Sequence, residues 1–183
     1  MLFLPTGAKD APEYASAAET ALKVAGAGGF EALFLTRNPS AAVVDRAFAA
    51  ADLVYFGGGG APLIVKHGGR YGLKERLRGV LARGGVVAGV SGGAIALFEG
   101  GAGAYNGYRP LPGWGLAPGG LLPHFHPGEE ASAAPWFAEN PGRVLYGLED
   151  GSALSWEDGA LTAVGNVWKL TVEGPAVLRE AVV

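Results

Sequence analysis

Ser91 stands between glycines in the stretch "GVVAGVSGGAIALFEG", residues 85–100. Its hydroxyl is a candidate nucleophile. The spacing Gly89-x-Ser91-x-Gly93 fits the nucleophile elbow, a sharp strand-to-helix turn that exposes a serine hydroxyl while its glycines let the turn close. The amides at the start of the following helix would favour negative charge that develops beside the serine. The alternative is a glycine-rich turn with an incidental serine, since glycine makes up 32 of the 183 residues.

Four consecutive glycines, residues 57–60 in "VYFGGGG", form a second turn at the end of an apolar segment. The run lacks the Gly-Lys-Ser/Thr of a P-loop, and Pro62 stands where a dinucleotide fingerprint has its third glycine, which argues against a nucleotide site. Backbone amides without side chains suit an oxyanion hole, formed by Gly58 or Gly59 together with Gly92. A plain tight turn explains the same glycines equally well.

A serine nucleophile needs a base, and the base needs an acid that holds its tautomer. The chain has three histidines. We interpret His67 in "VKHGGRYG" as part of a surface loop, whereas His124 and His126 lie in "LLPHFHPG". Alternation along an extended segment puts these two on one face, so that only one of them is expected to reach the serine. For the acid, Glu149 and Asp150 in "GLEDGSAL" end a predicted strand, although acids in turns are more often simply solvated.

The histidines near residue 124 could instead be ligands of a metal ion. His124, His126 and either Glu129 or Glu130 make a His-x-His set with carboxylates, and these side chains are zinc ligands. No third histidine lies nearby, and the chain contains no cysteine for a thiolate ligand or a disulfide. We therefore expect no metal ion and no other cofactor, and keep a metal-dependent hydrolase as a lesser alternative.

The elements that must position these residues alternate between strand and helix in the first half of the chain. Residues 1–99 show four strand–helix repeats, which indicate a parallel sheet covered by helices on both faces. The segment 71–85 predicts an amphipathic helix with an apolar face made of Leu73, Leu77, Val80 and Leu81. Beyond residue 143, short strands separated by Asp-Gly and Gly-Asn turns predict antiparallel pairs. With no repeat or linker, residues 1–183 are predicted to form a single α/β domain.

Ligands of open α/β sheets gather at the carboxyl ends of the strands. The glycine run 57–60, Ser91, His124 and the acid pair 149–150 each follow a predicted strand. This convergence is the main functional signal in the sequence.

The charge and hydropathy patterns bound the function further. The chain carries 14 Lys and Arg against 17 Asp and Glu, a net charge of −3, and its basic residues are scattered, so that nucleic acid is not an expected partner. No apolar run approaches the roughly 18 residues of a membrane span. The start "MLFLPTGAKD" lacks the basic region of a signal peptide. We expect a cytoplasmic protein that does not bind membranes.

Four motifs in the order "YFGGGG", "GVSGGA", "LLPHF" and "YGLEDGSAL" resemble the peptidase E and cyanophycinase family of serine peptidases. The resemblance covers residues 2–170 and implies the class I glutamine amidotransferase-like fold, a three-layer sandwich of helices around a mostly parallel central sheet. It implies that Ser91 is the nucleophile and His124 the base. Asp150 stands at the acid position, with Glu149 as the near alternative.

Several positions depart from the family's pattern. Gly92 replaces the usual alanine of the elbow, and residues 60–62, "GAP", stand where relatives often have an Asn or Asp followed by a Gln that touches substrate. The arginines that acid-selective members carry after the histidine are absent, and Glu129 and Glu130 occupy that region. The catalytic set is thus present, whereas the substrate-contacting set differs.

These features predict a serine hydrolase of small peptides, an exopeptidase or dipeptidase, and the resemblance also allows a homodimer. The alternative is a non-catalytic member of the same fold that binds a small molecule or a partner. Glu129 or Glu130 about 4 Å from a substrate carboxylate would repel it by roughly 4 kcal/mol at an effective dielectric near 20, so neutral or basic substrate side chains are expected. Arg109 would reverse this preference if it entered the pocket. We expect Trp114 and Trp136 to pack in the core rather than line the cleft.

Overall fold

The computed structural model describes residues 1–182. They form two compact units, Met1–Ala96 and a second unit that begins at Leu97. Each unit carries one of the main sheets, and each is described separately below.

The first unit is built on a four-stranded parallel sheet in the order β2-β1-β3-β4. Its strands are β1 (Leu2–Leu4), β2 (Glu31–Ala32), β3 (Leu53–Phe56) and β4 (Val86–Gly89). The helices are α1 (Pro12–Val24), α2 (Ala41–Ala49), α3 (Ala61–Arg70), α4 (Leu73–Ala82) and α5 (Gly92–Leu97), whose last residue opens the second unit. Ser40 caps α2 as its position before an apolar helical run predicts, because its Oγ accepts the Val43 amide at 3.4 Å.

The core of the first unit lies between this sheet and the helices. Leu73, Leu77 and Val80 of α4 are fully buried, as predicted. The prediction for Leu81 is wrong, because 44% of this residue is exposed. Successive helical residues turn by about 100°, which puts Leu81 at the margin of the apolar stripe. His67 is also corrected: it lies on α3 and not in a surface loop, since the helix continues through the following glycines to Arg70.

The second unit holds a six-stranded mixed sheet in the order β12-β11-β8-β7-β5-β6, and a separate hairpin of β9 and β10. In chain order the strands are β5 (Gly100–Gly101), β6 (Leu111–Pro112), β7 (Gly120–Pro123), β8 (Leu145–Leu148), β9 (Ala153–Glu157), β10 (Ala160–Val164), β11 (Val167–Glu173) and β12 (Ala176–Ala181). β5, β7 and β8 are parallel neighbours, whereas β6, β11 and β12 pair antiparallel. One short helix, α6 (Ala134–Glu139), packs on this sheet.

Trp136 is one of two tryptophans in the core of the second unit. It is 2% exposed and packs with Phe125, Phe137 and Leu145. Trp114 is also buried, so both tryptophans are core residues as predicted. Parallel strands flanked by helices, followed by antiparallel strands in the C-terminal part, confirm the α/β prediction.

Candidate active site

The turn around Ser91 has the geometry that its glycine spacing predicts. β4 ends at Gly89, α5 begins at Gly92, and Ser91 between them has a φ of +52°. Such a conformation is uncommon for a residue with a side chain and is found preferentially at functional sites. A Cβ on Gly89 would lie 2.6 Å from the Gly93 carbonyl carbon, and one on Gly93 would lie 2.4 Å from the Phe56 oxygen. The turn therefore closes only because both flanking positions are glycine.

The glycine run lies against this turn. β3 and β4 are parallel neighbours with Phe56 opposite Gly89, so the run and Ser91 leave the sheet at the same end. A Cβ on Gly58 would lie 3.5 Å from the Ser91 Cβ, and a Cβ on Gly92 would lie 1.8 Å from the Gly59 oxygen. The first unit thus brings together Ser91 and all three glycines that the sequence nominates for the oxyanion hole.

The Gly58 amide already has a partner in this structure. It donates to the Tyr14 hydroxyl at 2.9 Å. The sequence does not nominate Tyr14 for this site, since its only local signal is that it is the single aromatic residue in the alanine-rich helix α1.

The second unit brings together a histidine and a carboxylate. β7 and β8 are parallel with Pro123 opposite Leu148, so His124 and Glu149 leave the same end of this sheet. His124 Nδ1 lies 2.5 Å from Asp150 Oδ1, and both side chains are more than half exposed. An exposed pair of this kind adds little to the free energy of folding. Its consequence is orientation: with the Asp150 carboxylate accepting a hydrogen bond from Nδ1–H, Nε2 is the ring nitrogen that carries the acceptor lone pair.

Phe125 anchors the histidine turn. Its side chain is buried, its amide donates to the Leu148 carbonyl at 2.9 Å, and its ring packs on the Gly147 backbone. His124 itself has a φ of +59°, so it lies in a turn and not in the extended segment that the alternation argument assumed. His126, two residues on, is exposed.

Glu149 has hydrogen-bond partners on β11 and just before it. Its Oε1 accepts the Trp168 indole N–H at 2.8 Å and its Oε2 accepts the Asn166 amide at 3.1 Å. The structure therefore brings Asp150, and not Glu149, to the histidine. The two residues that hold Glu149 lie at or near the start of β11 and give no signal in the sequence near the acid pair.

The remaining candidates lie around the second unit. Glu130 forms an ion pair with Arg179 of β12, whose guanidinium stands 5.0 Å above the Trp168 ring. Glu129 is exposed. Arg109 is exposed too, and its carbonyl accepts the Asn106 side-chain amide at 3.0 Å.

Metal ligation finds no support in residues 1–182, which contain no group of three or more histidine, aspartate or glutamate side chains arranged around a common point. In the same part of the chain, no helix combines the length and the apolar character that crossing a bilayer requires.

Comparison with known proteins extends these observations. Residues 1–164 match the model of peptidase family S51. The chain belongs to this family. It is therefore a serine peptidase, a hydrolase of peptide bonds, and its family is the one that the motif order predicts.

Two solved structures share the fold of this S51 peptidase. A "Putative Peptidase E Protein" from Listeria monocytogenes EGD-e is 16% identical, with a TM-score of 0.61, and the match covers 100% of this chain and 86% of that one. A peptidase from an acI-B1 Actinobacterium is 21% identical, with a TM-score of 0.67 and coverage of 100% and 82%. Comparison with curated protein sequences finds no match.

Proposed function

We propose that this S51 peptidase is an exopeptidase or dipeptidase of short peptides, with Ser91 as nucleophile, His124 as general base and Asp150 as the orienting acid. The observation that carries the proposal is the 2.5 Å contact between His124 Nδ1 and Asp150 Oδ1. A serine nucleophile needs an imidazole held in the tautomer whose free nitrogen accepts a proton, and a carboxylate at Nδ1 supplies that. The positive φ of Ser91 supports its role as the exposed nucleophile.

The reaction follows from these roles. Ser91 Oγ attacks the scissile carbonyl carbon, the π electrons move to the carbonyl oxygen, and His124 takes the Oγ proton. His124 then gives this proton to the amine nitrogen as the C–N bond breaks, which leaves an acyl-serine. Water, deprotonated by the same imidazole, attacks the acyl group and releases the acid and the free serine. Asp150 stays ionised throughout and stabilises the imidazolium.

Backbone amides of the first unit supply part of the oxyanion stabilisation. Gly92 is the first residue of α5, and the amides of a first helical turn have no acceptor within the helix. The partial positive charge of the helix start also favours an anion there. We propose the Gly92 amide as one donor, with that of Gly59 as the second backbone candidate.

A fluorophosphonate probe tests the nucleophile directly, because it phosphonylates only activated serines. We expect stoichiometric labelling of the wild-type protein, none of Ser91→Ala, and much slower labelling of His124→Ala. Ser155→Ala, which removes the hydroxyl of an exposed serine on β9, is the matched control and should label like the wild type. Label that stays on Ser91→Ala, or no label on the wild type, would favour the non-catalytic binding protein.

The size class of the substrate needs a separate measurement. Dipeptides, tripeptides and longer blocked peptides are to be offered with Ser91→Ala as the blank. We expect cleavage of short peptides with a free terminus, and little of peptides blocked at both ends. Efficient cleavage inside a blocked peptide would contradict the exopeptidase assignment while leaving Ser91 as the nucleophile.

A further inference from the structure

Tyr14 is held in one position above the glycine run. Its hydroxyl accepts the Gly58 amide proton at 2.9 Å. A Cβ on Gly57 would lie 2.7 Å from Tyr14 Cε1, so the ring rests directly on the backbone of that glycine. The Phe3 ring makes an edge-to-face contact with the Tyr14 ring, with 5.6 Å between the two centroids. Contacts on three sides leave the half-buried tyrosine little freedom to move its hydroxyl.

The hydroxyl borders the same small space as the Ser91 side chain. The point where a Cβ on Gly58 would lie is 3.5 Å from Ser91 Cβ, 3.6 Å from the Val90 carbonyl oxygen and 3.8 Å from Tyr14 Oη, so the Tyr14 hydroxyl is the one of these three groups that can donate a hydrogen bond there. Because residue 58 is glycine, its own side chain does not fill this space. Attack by Ser91 turns the carbonyl oxygen of the substrate into an oxyanion. We expect this oxyanion to lie within hydrogen-bond distance of that point.

The Gly58 amide has a single proton, and that proton is committed to Tyr14. A phenol hydroxyl that accepts one hydrogen bond still has its own proton to donate. Accepting the amide proton also polarises the O–H group and makes it a stronger donor. The Tyr14 O–H group can therefore act as a hydrogen-bond donor beside Ser91, in place of the Gly58 N–H group.

We propose that the Tyr14 hydroxyl, and not the Gly58 amide, donates to the oxyanion during attack by Ser91. The inference rests on the proposed role of Ser91 as nucleophile. As the Ser91 Oγ–carbon bond forms, the π electron pair of the carbonyl moves to its oxygen, which accepts the Tyr14 O–H hydrogen bond. The proton stays on Tyr14, and the bond weakens again when the carbonyl re-forms and the amine leaves. Tyr14 is then a catalytic residue that replaces Gly58 in the predicted oxyanion set.

Tyr55 offers a matched control. Its ring also packs against Phe3, with 6.0 Å between centroids, and it lies near enough to Tyr14 for the two phenols to interact. Tyr55→Phe removes a phenol hydroxyl from the same aromatic cluster without touching the hydrogen bond to Gly58.

The experiment compares Tyr14→Phe and Tyr55→Phe with the wild type on the best dipeptide substrate. For Tyr14→Phe we expect kcat to fall by about 100-fold to 1,000-fold, the usual loss for one oxyanion donor, with KM changed by less than about threefold. The affinity for a peptide boronate, which mimics the tetrahedral intermediate, should fall in parallel with kcat/KM. For Tyr55→Phe both quantities should stay near the wild-type values.

Other outcomes separate this inference from the function on which it rests. Wild-type or higher kcat in Tyr14→Phe would overturn it, since the released Gly58 amide would then be the donor. A higher KM with unchanged kcat would overturn it as well, because that change reports ground-state binding. A wild type without hydrolysis or Ser91 labelling would overturn the proposed function itself.

A second variant tests the same space if Tyr14→Phe does not fold. A Cβ on Gly58 meets its neighbours only at 3.5 Å or more, which is ordinary contact. Gly58→Ala should therefore fold, as judged by thermal unfolding, but it places a methyl group in the space beside Ser91 and Tyr14 that the oxyanion is proposed to enter. We expect a loss of kcat similar to that of Tyr14→Phe, and a fully active Gly58→Ala would overturn the inference.

Discussion

At the scale of single residues, two adjacent carboxylates have different environments. Asp150 contacts His124 Nδ1 at 2.5 Å, whereas Glu149 is held by the side chains of Trp168 and Asn166. The chain alone left either acid open, because they are neighbours in one turn. The side-chain contacts support the proposed role of Asp150 as the orienting acid, and we propose that Glu149 fixes the turn.

Exchange of each carboxylate for its amide tests this division. Asp150→Asn should lower kcat by about 100-fold to 10,000-fold, because an amide at Nδ1 favours the wrong imidazole tautomer. Glu149→Gln keeps an oxygen that accepts the Trp168 N–H, so it should retain activity within about fivefold. Steady-state kinetics on one dipeptide measures both. A larger loss in Glu149→Gln than in Asp150→Asn would reverse the assignment.

Gly92 shows a second effect of a single residue. A Cβ at this position would lie 1.8 Å from the Gly59 oxygen, and backbone cannot yield as a flexible side chain does. The alanine that relatives carry here is thus incompatible with this arrangement of the glycine run.

We expect Gly92→Ala to lower the free energy of unfolding by about 1 to 3 kcal/mol, a usual cost of overpacking, and to lose most activity as the glycine run shifts. Gly60→Ala is the control, because its Cβ would meet nothing closer than 3.7 Å. Urea unfolding and dipeptide hydrolysis measure the two effects. Equal free energies of unfolding for the two variants would contradict this prediction, because they would mean that the glycine run shifts without loss of stability.

At the scale of elements, the leucines of helix α4 differ in exposure according to their position on the apolar face. Leu77 is fully buried, whereas Leu81, one helical turn later, is 44% exposed. Leu77→Ala should cost about 2 to 5 kcal/mol of unfolding free energy and Leu81→Ala less than about 1 kcal/mol. Urea unfolding of both variants checks the difference, and similar losses would place Leu81 back in the core.

Strand β12 changes the charge of the candidate specificity region. It brings Arg179 to Glu130, so Glu129 is left as the exposed carboxylate of the pair named in the sequence analysis. If Glu129 borders the bound substrate, as we propose, its carboxylate would disfavour an acidic substrate side chain, though less than two carboxylates would.

The expected order of kcat/KM is therefore Arg-Leu or Leu-Leu above Asp-Leu. Glu129→Gln should raise kcat/KM for Asp-Leu and leave Leu-Leu nearly unchanged. If the wild type cleaves Asp-Leu best, Glu129 does not set the preference, and Arg109→Met becomes the variant that tests a basic subsite.

At the scale of the whole molecule, two half-buried phenols make the stability of the fold decrease at alkaline pH. Burial raises the pKa of Tyr55 above its ordinary value of 10.0, and the nearby Tyr14 phenol raises it further. Burial alone raises the pKa of Tyr146 above the same value. A raised pKa in the folded state means that the folded chain keeps these protons more tightly than the unfolded chain.

The stabilisation by these phenols is complete below pH 10 and is lost as the pH rises through the folded-state pKa values. We expect the urea midpoint to fall as the pH is raised above 10, and to fall less in Tyr55→Phe and Tyr146→Phe. Tyr105→Phe, which removes a phenol that is 61% exposed, should leave the fall unchanged. A fall of the same size in all variants would assign it to other groups.

The sequence by itself determined the α/β class, most of the elements and the residues with chemical potential. These follow from local rules: alternation of apolar strands and amphipathic helices, glycines where a turn must close, and a serine between them. It also placed the glycine run, Ser91, His124 and the acid pair after strands, and in each unit the strand registers bring them to one end of the sheet.

Only the tertiary structure decided which side chains meet. The contacts of His124 with Asp150, of Arg179 with Glu130 and of Tyr14 with Gly58 join residues that lie 26, 49 and 44 positions apart. Contacts over such distances depend on strand register, helix rotation and side-chain rotamers, which no local pattern encodes. The local sequence therefore indicates the candidate site residues, whereas packing between distant segments determines which side chains contact them.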